Sequence, residues 1–90
     1  SIPTEYRLEQ NYPNPFNPAT TLQFSLPEAG YYTISVYNVI GQRVATVVKG
    51  EFGAGTHSVV FDASRLVSGM YFYQLYGSSV NITKKMLLVK

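Results

Sequence analysis

Apolar and polar residues alternate in short segments along the chain, and glycine, proline or asparagine separates one segment from the next. Thr20–Leu26 is the clearest example, since Leu22, Phe24 and Leu26 share one face and polar residues occupy the other. A period of two is typical of a strand with one buried face. The pattern predicts seven strands: Tyr6–Gln10, Thr20–Leu26, Tyr31–Tyr37, Arg43–Val48, Thr56–Asp62, Met70–Tyr76 and Val80–Val89.

The same alternation predicts which side chains of the other strands point into the core. They are Tyr32, Ile34, Val36, Val59, Phe61, Tyr71, Tyr73 and Leu75. Arg43–Val48 is ambiguous, because its three valines do not follow one period. Lys49–Gly55 contains three glycines and is predicted to be a loop, while Ala63–Gly69 is predicted to link two strands through one helical turn with Leu66 inward.

Composition fits a single β-rich domain. Of the 90 residues, 46% are hydrophobic and 14% aromatic, which is enough for one core. Charged residues make up 13%, against a usual value of about 25%, so a disordered chain is not expected. Short strands without a long helix predict an all-β fold, an immunoglobulin-like antiparallel β-sandwich of about seven strands.

Cysteine content and charge exclude several classes of protein. The chain has no cysteine, which excludes a disulfide framework, a thiolate zinc site and a cysteine nucleophile. The net charge is +2, and residues 63–90 carry four cations and no acid. Four cations are too few for a nucleic-acid surface. No apolar run approaches the roughly 20 residues of a membrane span, so no transmembrane segment is expected.

The chain offers few of the residues that a catalytic site needs. His57 and Asp62 are the only histidine and aspartate, so a Ser-His-Asp triad would need both. Their odd separation within one predicted strand places them on opposite faces, which argues against a triad. Gly50–Gly55 has neither the lysine of a phosphate loop nor a strand-to-helix setting. No catalytic, cofactor-binding or metal-binding residue is therefore predicted.

Three of the five prolines lie in residues 11–18. Each proline restricts its own backbone and keeps the preceding residue extended, and asparagine side chains close turns onto nearby backbone groups. The segment is therefore predicted to be a stiff loop, with Tyr12 and Phe16 closing one end of the sandwich.

The alternative for this segment is a ligand or Ca²⁺ loop that uses Asn11, Asn14 and Asn17. Against it, the segment contains no carboxylate, and amide oxygens alone bind a hard cation poorly.

The proline-rich segment also carries a family resemblance. Tyr12–Thr21, which reads YPNPFNPATT, resembles the opening motif of the type A C-terminal sorting domains of the type IX secretion system. Further segments resemble that family in order along the chain: Ser25–Gly30, Val36–Val44, Ala54–His57, Phe61–Ser64, Leu66–Tyr73 and Thr83–Lys90. The resemblance covers residues 6–90 and leaves residues 1–5 as the end of an upstream linker. Relatives often have tryptophan at position 61, where this chain has Phe61.

The resemblance implies a signal domain rather than an enzyme. Such domains are immunoglobulin-like, are related to a domain of flagellar hook-capping proteins, and follow larger cargo proteins of Bacteroidetes. The implied partners are the type IX outer-membrane translocon and a sortase-like peptidase that removes the domain and joins the cargo to anionic lipopolysaccharide. The implied location of the cargo is outside the cell or on its surface.

Two groups of residues are singled out by the resemblance. Translocon recognition is expected in the terminal strand, at Lys84, Lys85, Met86, Leu87, Leu88, Val89 and Lys90. A structural role is expected for the motif residues Pro13, Asn14, Pro15, Phe16, Asn17, Pro18, Gly41, Gly69 and Tyr71. The alternative for the three lysines is protection of an edge strand against aggregation.

Two other functions stay open from the residues alone. One is a carbohydrate-binding module, in which Tyr31, Tyr37, Phe72 and Tyr76 stack on sugars. The other is a passive stalk module of a secreted protein, which would tolerate loss of the C-terminal lysines.

Overall fold

The computed structural model describes residues 2–90 and contains two antiparallel sheets. Their seven strands are β1 (Arg7–Leu8), β2 (Ala19–Leu26), β3 (Gly30–Tyr37), β4 (Arg43–Phe52), β5 (Gly55–Asp62), β6 (Gly69–Gly77) and β7 (Val80–Leu88). One sheet has the order β1-β2-β5 and the other the order β4-β3-β6-β7. Within the described residues there is no helix, so the all-β class is confirmed and the architecture is consistent with an immunoglobulin-like sandwich. The assignment of residues 1–5 to a linker stays a prediction, and Ser1 lies outside the described range.

The core lies between the two sheets. The inner face of β2 contributes Leu22, Phe24 and Leu26, all with no exposed surface. The other predicted inward residues are also buried or packed against the core: Tyr32, Ile34, Val36, Val59, Phe61, Leu66, Tyr71, Tyr73 and Leu75. The period-of-two interpretation is therefore confirmed in every strand where it was made.

The pairing of β4 with β3 explains why the valines of β4 follow no single period. Its pairing with β3 slips by one residue between Ile34 and Ser35 and again between Val36 and Tyr37. Each slip is a bulge that leaves an extra residue in β4, so that Val47 and Val48 both turn toward the core, as do Val44 and Ala45.

The predicted loop Lys49–Gly55 is wrong in its extent. Strand β4 continues to Phe52 and β5 begins at Gly55, so only two residues separate the strands. Burial of Phe52 outweighs the weak strand preference of the glycines, because its ring packs edge-on against Phe24 at 5.5 Å between centroids. His57 stacks on Phe24, and one of its ring nitrogens lies 2.8 Å from the Gly53 carbonyl oxygen, so His57 holds this turn.

Two positions require glycine, one because of its backbone conformation and one because of a close contact. Gly41 has a φ of +88° in the β3–β4 turn. Asn38 closes that turn, since its Oδ1 accepts hydrogen bonds from the backbone of Ile40 and Gln42. Gly77 lies against the ring of Tyr32, where a Cβ atom would come within 2.7 Å of Cδ1.

The close approach at Gly77 predicts a stability difference between two glycine substitutions. Gly77→Ala should lower the free energy of unfolding by about 1–3 kcal/mol, because the ring of Tyr32 must shift within a packed core. Gly53→Ala is the control, since a Cβ there meets nothing within 4 Å and should change stability by less than about 0.5 kcal/mol. Urea unfolding measures both, and equal losses would contradict this account of Gly77.

Candidate functional site: the terminal strand and the proline loop

The terminal strand β7 lies at one edge of the four-stranded sheet, with β6 on one side. Residues 11–18, the proline loop, run along part of its other side. Phe16 makes the main connection, because its N–H donates to the Leu87 carbonyl and its own carbonyl accepts from the Val89 N–H, both at 3.0 Å. The loop therefore acts as a short extra strand that pairs with the end of β7.

Side chains extend this cover toward the middle of β7. Asn14 Oδ1 accepts a hydrogen bond from the Leu87 N–H at 3.0 Å. Gln10 Nε2 donates to the Lys85 carbonyl at 2.6 Å, across 75 positions of sequence. Nothing local in the sequence indicates the contact of Gln10, since its partner lies near the opposite end of the chain.

Strand β1 lies close to β7 but forms no hydrogen bond with it, so the rest of the β7 edge keeps its backbone groups unpaired within residues 2–90. In an antiparallel strand, the backbone N–H and carbonyl groups of successive residues point alternately to the two neighbouring positions. The backbone groups of the odd-numbered residues of β7 therefore point away from β6, as those of Leu87 do. Within residues 2–90, no hydrogen bond from the proline loop reaches the backbone of Asn81 or Thr83 or the N–H of Lys85. The open edge is defined here as Asn81–Lys85.

The two aromatic residues of the proline loop have different environments. Phe16 is 2% exposed and closes the end of the core, as predicted. The expectation for Tyr12 is wrong, because its side chain is 80% exposed. Tyr12 forms a backbone bridge with Thr21, and its neighbour Asn11 takes the inward position.

Asn11 is held by protein groups and not arranged as a cation ligand. Its Nδ2 donates to the Pro13 carbonyl and to Thr20 Oγ1, both at 3.1 Å. Its Oδ1 accepts from Gln10 Nε2 at 2.8 Å. Across residues 2–90, no group of three His, Cys, Asp or Glu side chains is placed to hold a metal ion.

The lysines of the terminal strand do not form one basic surface. Lys84 shares the inward face of β7 with the buried Met86 and Leu88, and Lys85 lies on the outward face. Lys90 is tied to the β5–β6 link, because its Nζ donates to the Ser64 carbonyl at 2.7 Å and its backbone N–H donates to Ser68 Oγ at 3.0 Å.

The hydrophobic residues of the predicted recognition segment also divide between the two faces. Met86 and Leu88 are each 1% exposed and belong to the core. Leu87 and Val89 are 38% and 47% exposed and are accessible to a partner.

Two tyrosines of β6 lie in the core, as predicted from the alternation, and their hydroxyl groups are hydrogen-bonded. Tyr71 donates its hydroxyl hydrogen to the Val67 carbonyl at 2.7 Å. Tyr73 donates to the Glu9 carbonyl at 2.7 Å and accepts from the Asn11 N–H at 2.8 Å. Tyr73 thus anchors the start of the proline loop.

Burial raises the pKa of Tyr73 from 10.0 to about 12, and the Glu9 carboxylate acts in the same direction. The hydrogen bond with the Asn11 backbone opposes that increase. A tyrosinate would keep the donor at Asn11 but lose the hydrogen bond to the Glu9 carbonyl, so the neutral form is preferred in the folded state.

The raised pKa predicts a pH-dependent role for the Tyr73 hydroxyl in stability. Its contribution is complete below pH 10 and is lost as the pH rises toward the folded-state pKa of about 12. Tyr73→Phe should be less stable than the wild type by about 1–3 kcal/mol at pH 8, because the buried Asn11 N–H loses its acceptor. The difference in the free energy of unfolding between the wild type and Tyr73→Phe should become smaller between pH 10 and about 12.

Chemical denaturation of both proteins at several pH values measures this difference. The pKa of Tyr6 is also raised, chiefly by its hydrogen bond with Tyr32, and that effect is common to both proteins. A difference that stays constant up to pH 12 would contradict the assignment to Tyr73.

Comparison with known families agrees with the resemblance in the sequence. The sequence model of the family described as secretion system C-terminal sorting domain matches residues 10–90, which include the proline loop and the six strands from β2 to β7. No curated protein and no solved structure matches the chain. Within residues 2–90, the structure has no helix long and apolar enough to span a membrane. The chain belongs to the C-terminal sorting domains of the type IX secretion system, a family of sorting signals and not of catalysts.

Proposed function

We propose that this domain directs a larger, covalently linked cargo protein across the bacterial outer membrane through the type IX translocon. The family match over residues 10–90 is the observation that carries the proposal. Membership implies contact with the type IX machinery, a preceding cargo, and a cargo that is secreted or displayed at the cell surface. In the full proposal, a sortase-like peptidase then removes the domain and the cargo is attached to the surface.

The translocon would recognise the terminal strand through its open edge. Edge strands bind an added strand through backbone hydrogen bonds, and Asn81–Lys85 is the part of β7 that still offers such groups. The proline loop already occupies Leu87 and Val89, so strand addition along the whole predicted segment 84–90 would require the loop to leave. Lys85, Leu87 and Val89 supply exposed side chains next to this edge.

Lys84 supports the alternative function of edge protection. Its side chain points toward the inner face of an edge strand, between Ile82 and Met86. A charge in that position opposes edge-to-edge association, because a second sheet placed there would have to bury it. Recognition is therefore assigned to Lys85 and not to Lys84.

A transport assay tests the proposed function. Residues 1–90 would be fused behind a signal peptide and a fluorescent protein, in hosts with an intact or a deleted type IX translocon. We expect the cargo to reach the medium or the cell surface only in the intact host. Equal retention in both hosts would overturn the sorting function.

Two substitutions on the open edge test where recognition takes place. Thr83→Pro removes a backbone N–H that points away from β6 at the free edge of the sheet. Proline is tolerated at such positions of an edge strand. Lys85→Glu reverses the exposed charge beside it. Each should lower export by about tenfold or more and trap the cargo in the periplasm, which corresponds to a loss of about 1.4 kcal/mol in binding.

Arg65→Glu is the charge-matched control, because Arg65 is exposed in the β5–β6 link and not in β7. It should be exported like the wild type. Protease resistance of the periplasmic protein checks that each variant is folded. Normal export of folded Thr83→Pro and Lys85→Glu would overturn recognition at the open edge while leaving the sorting function intact.

A further inference from the structure

The outer face of the four-stranded sheet, which is turned away from the core, combines aromatic and cationic side chains. The four tyrosine and phenylalanine residues considered for sugar stacking all point to this face: Tyr31, Tyr37, Phe72 and Tyr76. Tyr31 and Tyr76 are 55% and 57% exposed, and the other two are half-buried. They are therefore brought onto one surface by the registers of β3 and β6.

This face contains a groove of about 400 Å³. Its floor is polar, with Thr33, Ser35, Thr46 and Gln74 among the lining residues. Ser35 is only 5% exposed, so its hydroxyl lies at the bottom of the sheet surface. A floor of hydroxyl and amide groups provides both hydrogen-bond donors and acceptors.

Aromatic rings and cations border the floor. Tyr37 lies opposite Arg43 on β4 and opposite Phe72 on β6. Thr33 lies opposite Lys49 and Tyr76 in the same way. Each end of the groove thus has one tyrosine and one cation.

The outward strand residues of this face carry an excess of positive charge. Arg43, Tyr37 and Phe72 form a row across β4, β3 and β6. Lys85 continues this row on β7, because it lies opposite Phe72. Three interstrand spacings separate Arg43 from Lys85, which is about 14 Å. Glu51 is the one carboxylate among the outward residues of β3, β4, β6 and β7, and it lies opposite Tyr31 at the far end.

The polar groups of the groove are largely uncommitted. Within residues 2–90, the only side-chain hydrogen bond of the lining residues is from Gln74 Nε2 to Asn81 Oδ1 at 2.7 Å. Neither Arg43 nor Lys49 has a carboxylate within ion-pair distance in that range. The hydroxyls and cations are therefore available to a ligand.

We infer that this groove binds an acidic polysaccharide, a chain of sugars that carry carboxylate groups. The tyrosine rings pack against the apolar faces of the sugars, the floor exchanges hydrogen bonds with their hydroxyls, and Arg43, Lys49 and Lys85 pair with the carboxylates. This binding uses the outer face of the sheet, whereas the proposed translocon recognition uses the edge of β7, and Lys85 is the residue common to both surfaces.

The charge and floor of the groove favour a polysaccharide over a nucleic acid. A single-stranded nucleic acid needs a cationic path along its backbone and stacking surfaces for successive bases. Here two cations, Arg43 and Lys49, lie at opposite ends of the groove and hydroxyl groups occupy its centre. Lys85 and the Glu51 carboxylate lie beyond the groove on the same face.

Titration of residues 1–90 with hexagalacturonate, followed by NMR and calorimetry, tests the inference. We expect binding that shifts the backbone amides of Ser35 and Gln74 and weakens by about tenfold or more when the ionic strength rises from about 0.02 M to 0.5 M. A neutral hexasaccharide of galactose should bind at least about tenfold more weakly, since it lacks the carboxylates.

Pairs of charge-removing variants distinguish binding in the groove from an effect of the net charge of the protein. Arg43→Gln with Lys49→Gln should weaken hexagalacturonate binding by about tenfold or more. Arg65→Gln with Lys90→Gln removes the same charge outside the groove and should leave binding within about twofold. Tyr76→Ala should weaken binding to both sugars, whereas Tyr12→Ala, at another exposed tyrosine, should not.

Four outcomes would overturn the inference. They are no binding at millimolar sugar, equal binding of the neutral hexasaccharide, equal weakening by the Arg65/Lys90 pair, and tighter binding of a hexathymidylate. The last outcome would assign the face to single-stranded nucleic acid.

Discussion

The backbone groups at the exposed edge of β7 impose the constraint on which this structure depends. An edge strand with unpaired N–H and carbonyl groups is a template for association with another chain. Here Phe16, Asn14 and Gln10 satisfy the groups from the Lys85 carbonyl to the Val89 N–H. Phe16, whose backbone pairs with β7, also buries its ring in the core, so one residue both closes the edge and completes the core.

This arrangement joins the two ends of the described chain into one structural unit. Tyr73 anchors the start of the proline loop from the middle of the four-stranded sheet, and Lys90 is held by the β5–β6 link. The open edge is thereby limited to Asn81–Lys85, next to the exposed side chains of Leu87 and Val89. In the proposed recognition, the sorting signal is a folded surface and not a linear peptide.

Local pattern was enough to predict most of the fold and only part of the site. Alternation identified the inward residues of β2, because each repeats with the period of the strand. It failed in β4, where two bulges change the period, and at Phe52, whose burial depends on a ring in another sheet. Neither the separation of Lys84 from Lys90 nor the contact of Gln10 with β7 follows from neighbouring residues, since both depend on long-range pairing.

Amide hydrogen exchange along β7 tests the central claim most directly, because it reports each backbone N–H separately. The account predicts that the Leu87 and Val89 amides, which bond to the proline loop, exchange as slowly as the core amides of β6. The Thr83 and Lys85 amides on the open edge should exchange faster by about a hundredfold or more. Equal exchange rates for all four amides would contradict a strand that is half closed and half open.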